Sequence, residues 1–564
     1  MSISSAHATD ITQTDLVSYR AQIHSNGEHL ALVWTERSET NSEVYFSQSD
    51  DFGSSFSEPM NLSNNSGHSA FPRLAAHENN IFVTWYDYTP GQSDIFFSKS
   101  SDYGETFENF NISDSASASY NPWIASNSEF TYLVWNDGGI SQKMEVNGKI
   151  KIVDILLGAS DIMFGLSKNS GETFEIKNIS NQSGESINPR MRVDGDNVYV
   201  VWTNYMENSE IFFSKSNDSG LTFSSPTNIS RTDTDSFDSG IQIYQENIFL
   251  IWKEKHSNGT EIYFSKSSDG GNTFDSPASI SGEFGNYKIT RDTQMSVSYP
   301  HLYLVYYDEQ NSDVHLAHSP NMGSTFYDSV NLSLNAGISF YPQLVTSENK
   351  VLIVWSDDSD GDNDVYLRES HDFGHTFGPI SNLSDDNSDS LLFILGPQIS
   401  KSENSVNVIW ENKTESQSNL VLKHLPTNDL PTSFSRSFGD IQVSLEGFEI
   451  QPQKETHIGL KFVGLQRDVN IQANHTLIVL DSKNKTVFQS TATLPVSGLA
   501  NHTVTFPEPG QYSLKLNTNN STGPENTEMI ITVIPEFEFG IFLILSLSFS
   551  IAVFTKRIHP KMFR

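Results

Sequence analysis

Several residue types in this chain stand in patterns that could do chemistry. Arg73, Trp123 and Arg190 each follow a proline at the start of an apolar run ("FPRLAAH", "NPWIAS", "NPRMRV"). Gln343 and Gln398 hold the same place, as does Gln22 by alignment. Guanidiniums grip carboxylates and hydroxyls in pairs of hydrogen bonds, and an indole offers a flat face, a mixture that suits a sugar. Asp87, Asp137, Asp308 and Asp357, with Asn204, come just after a recurring Trp or Tyr. They would add carboxylates to the same surface, although each also suits the capping of a hairpin turn. The run "DDSDGDND" alternates Asp358, Asp360, Asp362 and Asp364, oxygen ligands at a spacing that can bind calcium. The full helix–loop–helix calcium pattern is absent, so a solvated acidic turn is the alternative, and no other cofactor is expected.

One further pattern, S-x-D-x-G-x-[ST]-F, occurs seven times. Its acidic place is held by Asp51, Asp102, Asn169, Asp218, Asp269, Asn321 and Asp372. Asn keeps the turn-capping acceptor and loses the charge, which a catalytic carboxylate would not tolerate. The pattern is therefore a fastener: Gly takes a positive φ, the Asp or Asn accepts from turn N–H groups, and the Phe tucks into the core.

The elements that carry these residues follow from the repeat. Successive turn glycines are 51, 67, 49, 51, 52 and 51 residues apart, so one unit of about 50 residues recurs, with an insertion at 138–154. Each unit holds four short runs rich in Ile, Val, Phe and Tyr, split by polar turns, which is strand chemistry. Four-stranded units at this period mean propeller blades. The second strand ends in Trp34, Trp85, Trp135, Trp202, Trp252, Trp355 and Trp410, with Tyr306 in one unit, which gives eight units. The eighth stops after three strands. Residues 10–23 align without gaps with 111–124, so an N-terminal strand near 5–12 is expected to complete it and remove an open edge. The expected fold is all-β, an eight-bladed β-propeller over 1–426, with seven blades as the alternative.

The S-x-D-x-G-x-[ST]-F pattern resembles the Asp-box, or BNR repeat, of the sialidase superfamily. The resemblance covers about 420 residues in seven copies. It implies a propeller whose Asp-box turns lie on the face opposite the ligand site, so the first-strand and post-Trp residues would ring the mouth of the central channel. Family members with activity carry an Arg triad, a Tyr nucleophile paired with Glu, and an acid/base Asp. Here "SYRAQI" (Arg20) and "FPRLA" (Arg73) both depart from the family's first-Arg motif, Arg190 could be a second member, and a third Arg and a Tyr–Glu pair are not assignable. The expected function is a binding module for a glycan or a surface protein, with a sialidase-type glycoside hydrolase as the alternative.

Composition sets the surroundings. The formal net charge is −35, which repels nucleic acid, and there is no Cys, hence no disulfide or thiolate chemistry. After a linker at 427–434, residues 435–533 carry the strand patterns of one Ig-like β-sandwich stalk. The segment 534–564 contains an apolar run at 539–555 followed by "KRIHPK", the pattern of a transmembrane helix with a basic cytoplasmic tail. Its "PEFEFG" entry resembles C-terminal anchors of archaeal surface proteins. A single-pass cell-membrane protein with an extracellular body is expected, although "MSISSAHATDITQT" shows no signal peptide. Dense N-x-[ST] sequons (Asn61, Asn111, Asn228, Asn331, Asn382) fit an exported body, but most end one repeated strand and could be structural.

Overall fold

The structure is a computed structural model. It describes residues 8–533 apart from short stretches, the longest being 281–292, 385–395 and 463–473. The expected transmembrane helix lies outside the described residues. Among the described residues there is no helix, and none long and apolar enough to cross a membrane. Two compact bodies are distinguished, the first built from the repeats.

In the first body each repeat forms an antiparallel four-stranded sheet in chain order. The second sheet, for instance, runs Ser69–His77, Asn80–Asp87, Asp94–Ser100, Glu108–Asn111. The eighth has only three consecutive strands, Gln398–Lys401, Ser405–Lys413 and Ser418–Pro426. Its fourth is Ala8–Asp10, which pairs antiparallel with the third (Ala8↔Lys423, Asp10↔Val421). The N-terminal strand therefore closes the last sheet. The insertion forms a separate hairpin, Ile140–Val146 with Lys149–Ile155.

The core lies between the sheets. Each of the eight neighbouring pairs shares one apolar cluster, including the pair that joins the eighth sheet to the first. The arrangement is that of a β-propeller, with eight blades and not seven. The recurring Trp, replaced by Tyr306 between blades 5 and 6, is the plug of each interface: Trp85 of blade 2 packs on Val33, Val44 and Phe46 of blade 1, and Trp34 of blade 1 on Ile409 and Leu420 of blade 8.

The Asp-box fastens neighbouring blades as well as its own turn. In blade 2 the Asp102 carboxylate accepts from Ser100 Oγ (2.7 Å), Thr106 N (3.0 Å) and Thr106 Oγ1 (2.6 Å), while Ser100 Oγ accepts from Gly104 N (2.8 Å). Where Asn169 and Asn321 stand instead, the Thr N–H bond persists and the amide donates to the Thr hydroxyl at 3.0 and 2.9 Å. Swapping the acid for its amide reverses one hydrogen bond and loses none. The closing Phe packs against the preceding blade: Phe107 meets Phe46 edge-on at 4.8 Å, and Phe223 meets Phe164 at 4.7 Å.

The N-x-S sequons have a structural task too. Asn111, Asn331 and Asn382 donate their Nδ2 to Asp94, Asp313 and Asp364 at 2.7, 2.6 and 2.8 Å. Ser63 and Ser230 of the same motif donate to Glu43 and Glu210. The motif ties the fourth strand to the start of the third, which accounts for its recurrence in blade after blade.

The second body holds two four-stranded sheets. One combines Ser433–Phe438, Ile441–Glu446, Glu455–Phe462 and Leu499–Thr505; the other combines Thr486–Thr493, Asn474–Asp481, Gly510–Asn520 and Gly523–Val533.

Candidate functional site

The first strand of each blade lines the ring, and its side chains alternate. In blades 3 and 4, Ile124 and Met191 turn into the interface and are buried. The residues beside them, Trp123, Arg190 and Arg192, are only half-buried and lie on the other side of the strand. They meet there. The Arg73 guanidinium lies 4.6 Å from the centre of the Trp123 ring, Arg190 4.8 Å and Arg192 5.8 Å. Three cations from blades 2 and 4 thus hold one indole of blade 3, each within cation–π range.

A cavity of about 280 Å³ opens against this cluster. Gln22, Arg73, Trp123 and Arg192 supply its polar and aromatic wall, and Ser126, Met191 and Val193 part of the rest. It reaches from mid-strand toward the turn between first and second strands. That turn lies at the Asp-box end, since Tyr103 N of the blade 2 box bonds Asn79 O (3.0 Å). The expected site at the opposite mouth is therefore displaced inward along the channel.

The charge there is unbalanced. Arg73 Nη1 donates to Gln22 Oε1 (3.4 Å), and Arg192 Nε to Gln242 Oε1 (3.2 Å); both partners are neutral amides. Among the described residues no carboxylate lies within 4.0 Å of the guanidinium of Arg73, Arg190 or Arg192. Burial, with Arg190 and Arg20 close by, pulls Arg73 down to about 9; burial and Arg190 pull Arg192 down to about 10. Both remain cations at neutral pH. An anion placed among them would relieve the mutual repulsion and gain paired N–H donors.

The carboxylates expected beside them are elsewhere. Asp87 and Asp357 are 0% exposed. Asp87 accepts from Trp85 Nε1 (3.0 Å), Ser69 Oγ (2.7 Å) and Asn65 Nδ2 (2.7 Å), and Asp357 from Trp355 Nε1 (3.0 Å) and Asn335 Nδ2 (2.6 Å). Glu36 and Glu254 satisfy Trp34 and Trp252 in the same way, at 3.1 and 3.0 Å. In these four blades the post-Trp acid is thus an internal acceptor for the buried indole N–H, whereas Trp135 Nε1 and Trp202 Nε1 are buried without a partner among the described residues. Asp137 instead accepts from Ser115 (3.1 Å), Asn204 donates to Gln182 (3.0 Å), and Asp308, buried, accepts from Asn311 (2.9 Å). None of these lines the cavity.

Of the proposed calcium ligands, Asp360 and Asp362 lie outside the described residues. Asp364 accepts from Asn382 and Ser384 (2.9 Å), and Asp358 from Ile338 N. Among the described residues no three His, Cys, Asp or Glu side chains are grouped to hold a metal. Gln343 and Gln398 are half-buried on blades 7 and 8, outside the cavity lining. Arg192 and Gln242 escaped the sequence argument. The alternation of a strand would have found Arg192, two residues after Arg190 and so on the same face.

Comparison with known proteins gives the fold no name. No family model matches the chain, and no curated protein matches it. Among solved structures it is similar to a polysaccharide lyase, an ulvan lyase (12% identity, TM-score 0.40, 63% of this chain and 91% of the other). It is also similar to the intramolecular trans-sialidase of Ruminococcus gnavus (12%, 0.34, 64% and 95%) and the NanB sialidase of Streptococcus pneumoniae (12%, 0.34, 61% and 66%).

Proposed function

We propose that the propeller is a binding module for an acidic glycan, held by its anionic group at the Arg73–Trp123–Arg190–Arg192 cluster. The observation that carries this reading is the convergence of three guanidiniums on one indole with no carboxylate among the described residues in ion-pair contact with them; Asp238, itself held by Lys253, favours the charged form of Arg190 only from beyond that distance. In a chain of net charge −35 such a pocket is a local reversal of sign, which favours an anion by several routes at once: focusing, bidentate hydrogen bonds and relief of repulsion. Trp123 orients the guanidiniums through its ring face, so a ligand meets charge there and not a bare stacking platform. The Ser126 hydroxyl and the Gln22 amide serve the neutral part of a sugar.

The glycoside-hydrolase alternative draws support from the same arginines. It needs in addition a nucleophile and an acid/base pair, and the cavity lining among the described residues contains no Asp, Glu, His or Tyr. The binding reading asks for cations and an aromatic face, and Arg73, Arg192 and Trp123 in the lining supply both. We further propose that the apolar run 539–555 anchors the chain in a membrane with the propeller outside, supported by the basic residues that follow the run.

A glycan array probed with residues 1–426, at two salt concentrations, tests the function. Acidic glycans should bind, neutral ones should not, and Arg73→Gln with Arg190→Gln should lose binding more than tenfold while the melting curve stays near that of the wild type. Binding that survives both substitutions, or that selects neutral glycans or a protein surface alone, overturns the reading.

A further inference from the structure

The first strands of six blades share a feature that the anion pocket does not use. Each shifts register just before its pocket-level residue: between Tyr19 and Gln22, Ala70 and Arg73, Tyr120 and Trp123, Ile187 and Arg190, Phe237 and Gly240, Phe340 and Gln343. At each shift one residue takes a left-handed conformation: Arg20 (φ 59°), Phe71 (58°), Asn121 (53°), Asn188 (54°), Asp238 (57°) and Tyr341 (54°). Glycine would adopt that backbone without strain, whereas other L-residues bear roughly 1–2 kcal/mol, Asn and Asp less. None of the six is glycine, and three are Arg, Phe and Tyr. Strain repeated at one level of a ring, on side chains in place of glycine, points to a task for those side chains.

Their placement suggests the task. In blades 1 to 4 each bulge residue stands two positions before Gln22, Arg73, Trp123 or Arg190, on the side of the channel away from the Asp-boxes. Together they form a tier mouthward of the arginine pocket. Neighbours in the tier touch: the Arg20 guanidinium lies 3.2 Å over the Phe71 ring, and Asn121 Nδ2 donates to Asn188 Oδ1 at 2.8 Å. In blade 5, Asp238 holds Lys253 Nζ at 2.7 Å. The tier is thus lopsided: a cation on an aromatic ring over blades 1 and 2, paired amides over blades 3 and 4, and a carboxylate on blade 5.

We propose that this tier is the specificity rim of the pocket. The inference rests on the anionic-glycan reading: the arginines hold the acidic group, and the rim reads the uncharged remainder. Asn121 and Asn188 present an amide oxygen and an amide N–H to sugar hydroxyls. Asp238 occupies Lys253, so that side offers a second acidic group no open cation, while the Arg20–Phe71 stack accepts one. The rim therefore selects, among acidic oligosaccharides, those with a neutral residue next to the bound acid on the blade 4–5 side.

Glycine substitutions test this without endangering the fold, since the left-handed backbone suits glycine better than the residue it replaces. The probes are glucuronate and an array of acidic oligosaccharides that differ in the residue beside the acid. For Asn121→Gly with Asn188→Gly, the glucuronate Kd should stay within about twofold of wild type. The spread of Kd values across the oligosaccharides should shrink about tenfold per hydrogen bond lost. Asp238→Asn releases Lys253 and should raise affinity for oligosaccharides with two adjacent acids more than for those with one. An unaltered spread in the double variant, with glucuronate binding intact, overturns the rim and leaves the pocket standing. Failure of the wild type to bind glucuronate or any acidic oligosaccharide overturns the pocket and the rim together.

Discussion

Replacing Gly104 with Ala should cost about 2–6 kcal/mol, more than a methyl group on an ordinary turn glycine. Gly104 sits in the blade 2 Asp-box at φ +98°, where an L-residue is strained by roughly 1–3 kcal/mol. A Cβ built there would also lie 2.5 Å from both Cε1 and Cζ of Phe46. That ring belongs to blade 1, is 1% exposed and packs edge-on against Phe107, so it has nowhere to go. Overpacking of this kind adds about 1–3 kcal/mol. Gly91 supplies the control: its φ is +102°, nearly the same, yet a Cβ there meets nothing within 4 Å. Gly91→Ala should carry the strain alone, so the difference between the two variants isolates the blade-to-blade contact. In a ring of this length about 1 °C of melting temperature corresponds to each kcal/mol, so urea midpoints are the better assay. Equal destabilisation by the two substitutions would refute the claim that the Asp-box glycine is chosen by the neighbouring blade. A Gly104→Ala variant as stable as wild type would refute the packing and the strain together.

Asp102→Asn should be nearly silent, because Asn169 and Asn321 keep the same bonds, whereas Asp102→Ala should cost about 1 kcal/mol, the value of a lost turn cap open to water; urea midpoints that rank the two the other way would contradict this. Deleting residues 1–14 removes the strand paired to Ser418–Pro426, so the truncated protein should melt lower and aggregate, as light scattering during the melt would report. Stability should peak in the weakly acidic range. Hydrogen bonds from Ser and Thr hold Asp102 and Asp218 down to about 2 against a usual 3.8, so their contribution is complete above about 4 and fades as the pH falls toward 2. Burial raises Glu36, Asp94, Asp137 and Glu254, so their contribution is present when they are protonated and is lost as the pH rises through their raised values. A urea midpoint that climbs without a maximum from pH 4 to pH 8 would contradict this balance.

The sequence by itself determined the blades. A unit of four strands cannot bury both its faces alone, so a repeated Trp, a repeated glycine turn and an alternating pattern imply stacking, and the gapless alignment of residues 10–23 with 111–124 already placed the closing strand. The Asp-box was legible as a fastener for the same reason: two copies with Asn exclude chemistry that needs a charge. What the local pattern left open was where each side chain ends up once the ring closes. Asp87 and Asp357 look like surface carboxylates on a hairpin, but each accepts from inside the N–H of the sealed indole two positions before it. Asn111 looks like a sequon until the third strand brings Asp94 to its amide. Arg73, Trp123 and Arg190 come from three blades, and only closure sets the distances that make them one cluster. The pairing of Arg192 with Gln242, and the left-handed bulges that lift Arg20, Phe71, Asn121 and Asn188 above the pocket, depend on strand register, which sequence alternation fixes only up to the bulge that shifts it.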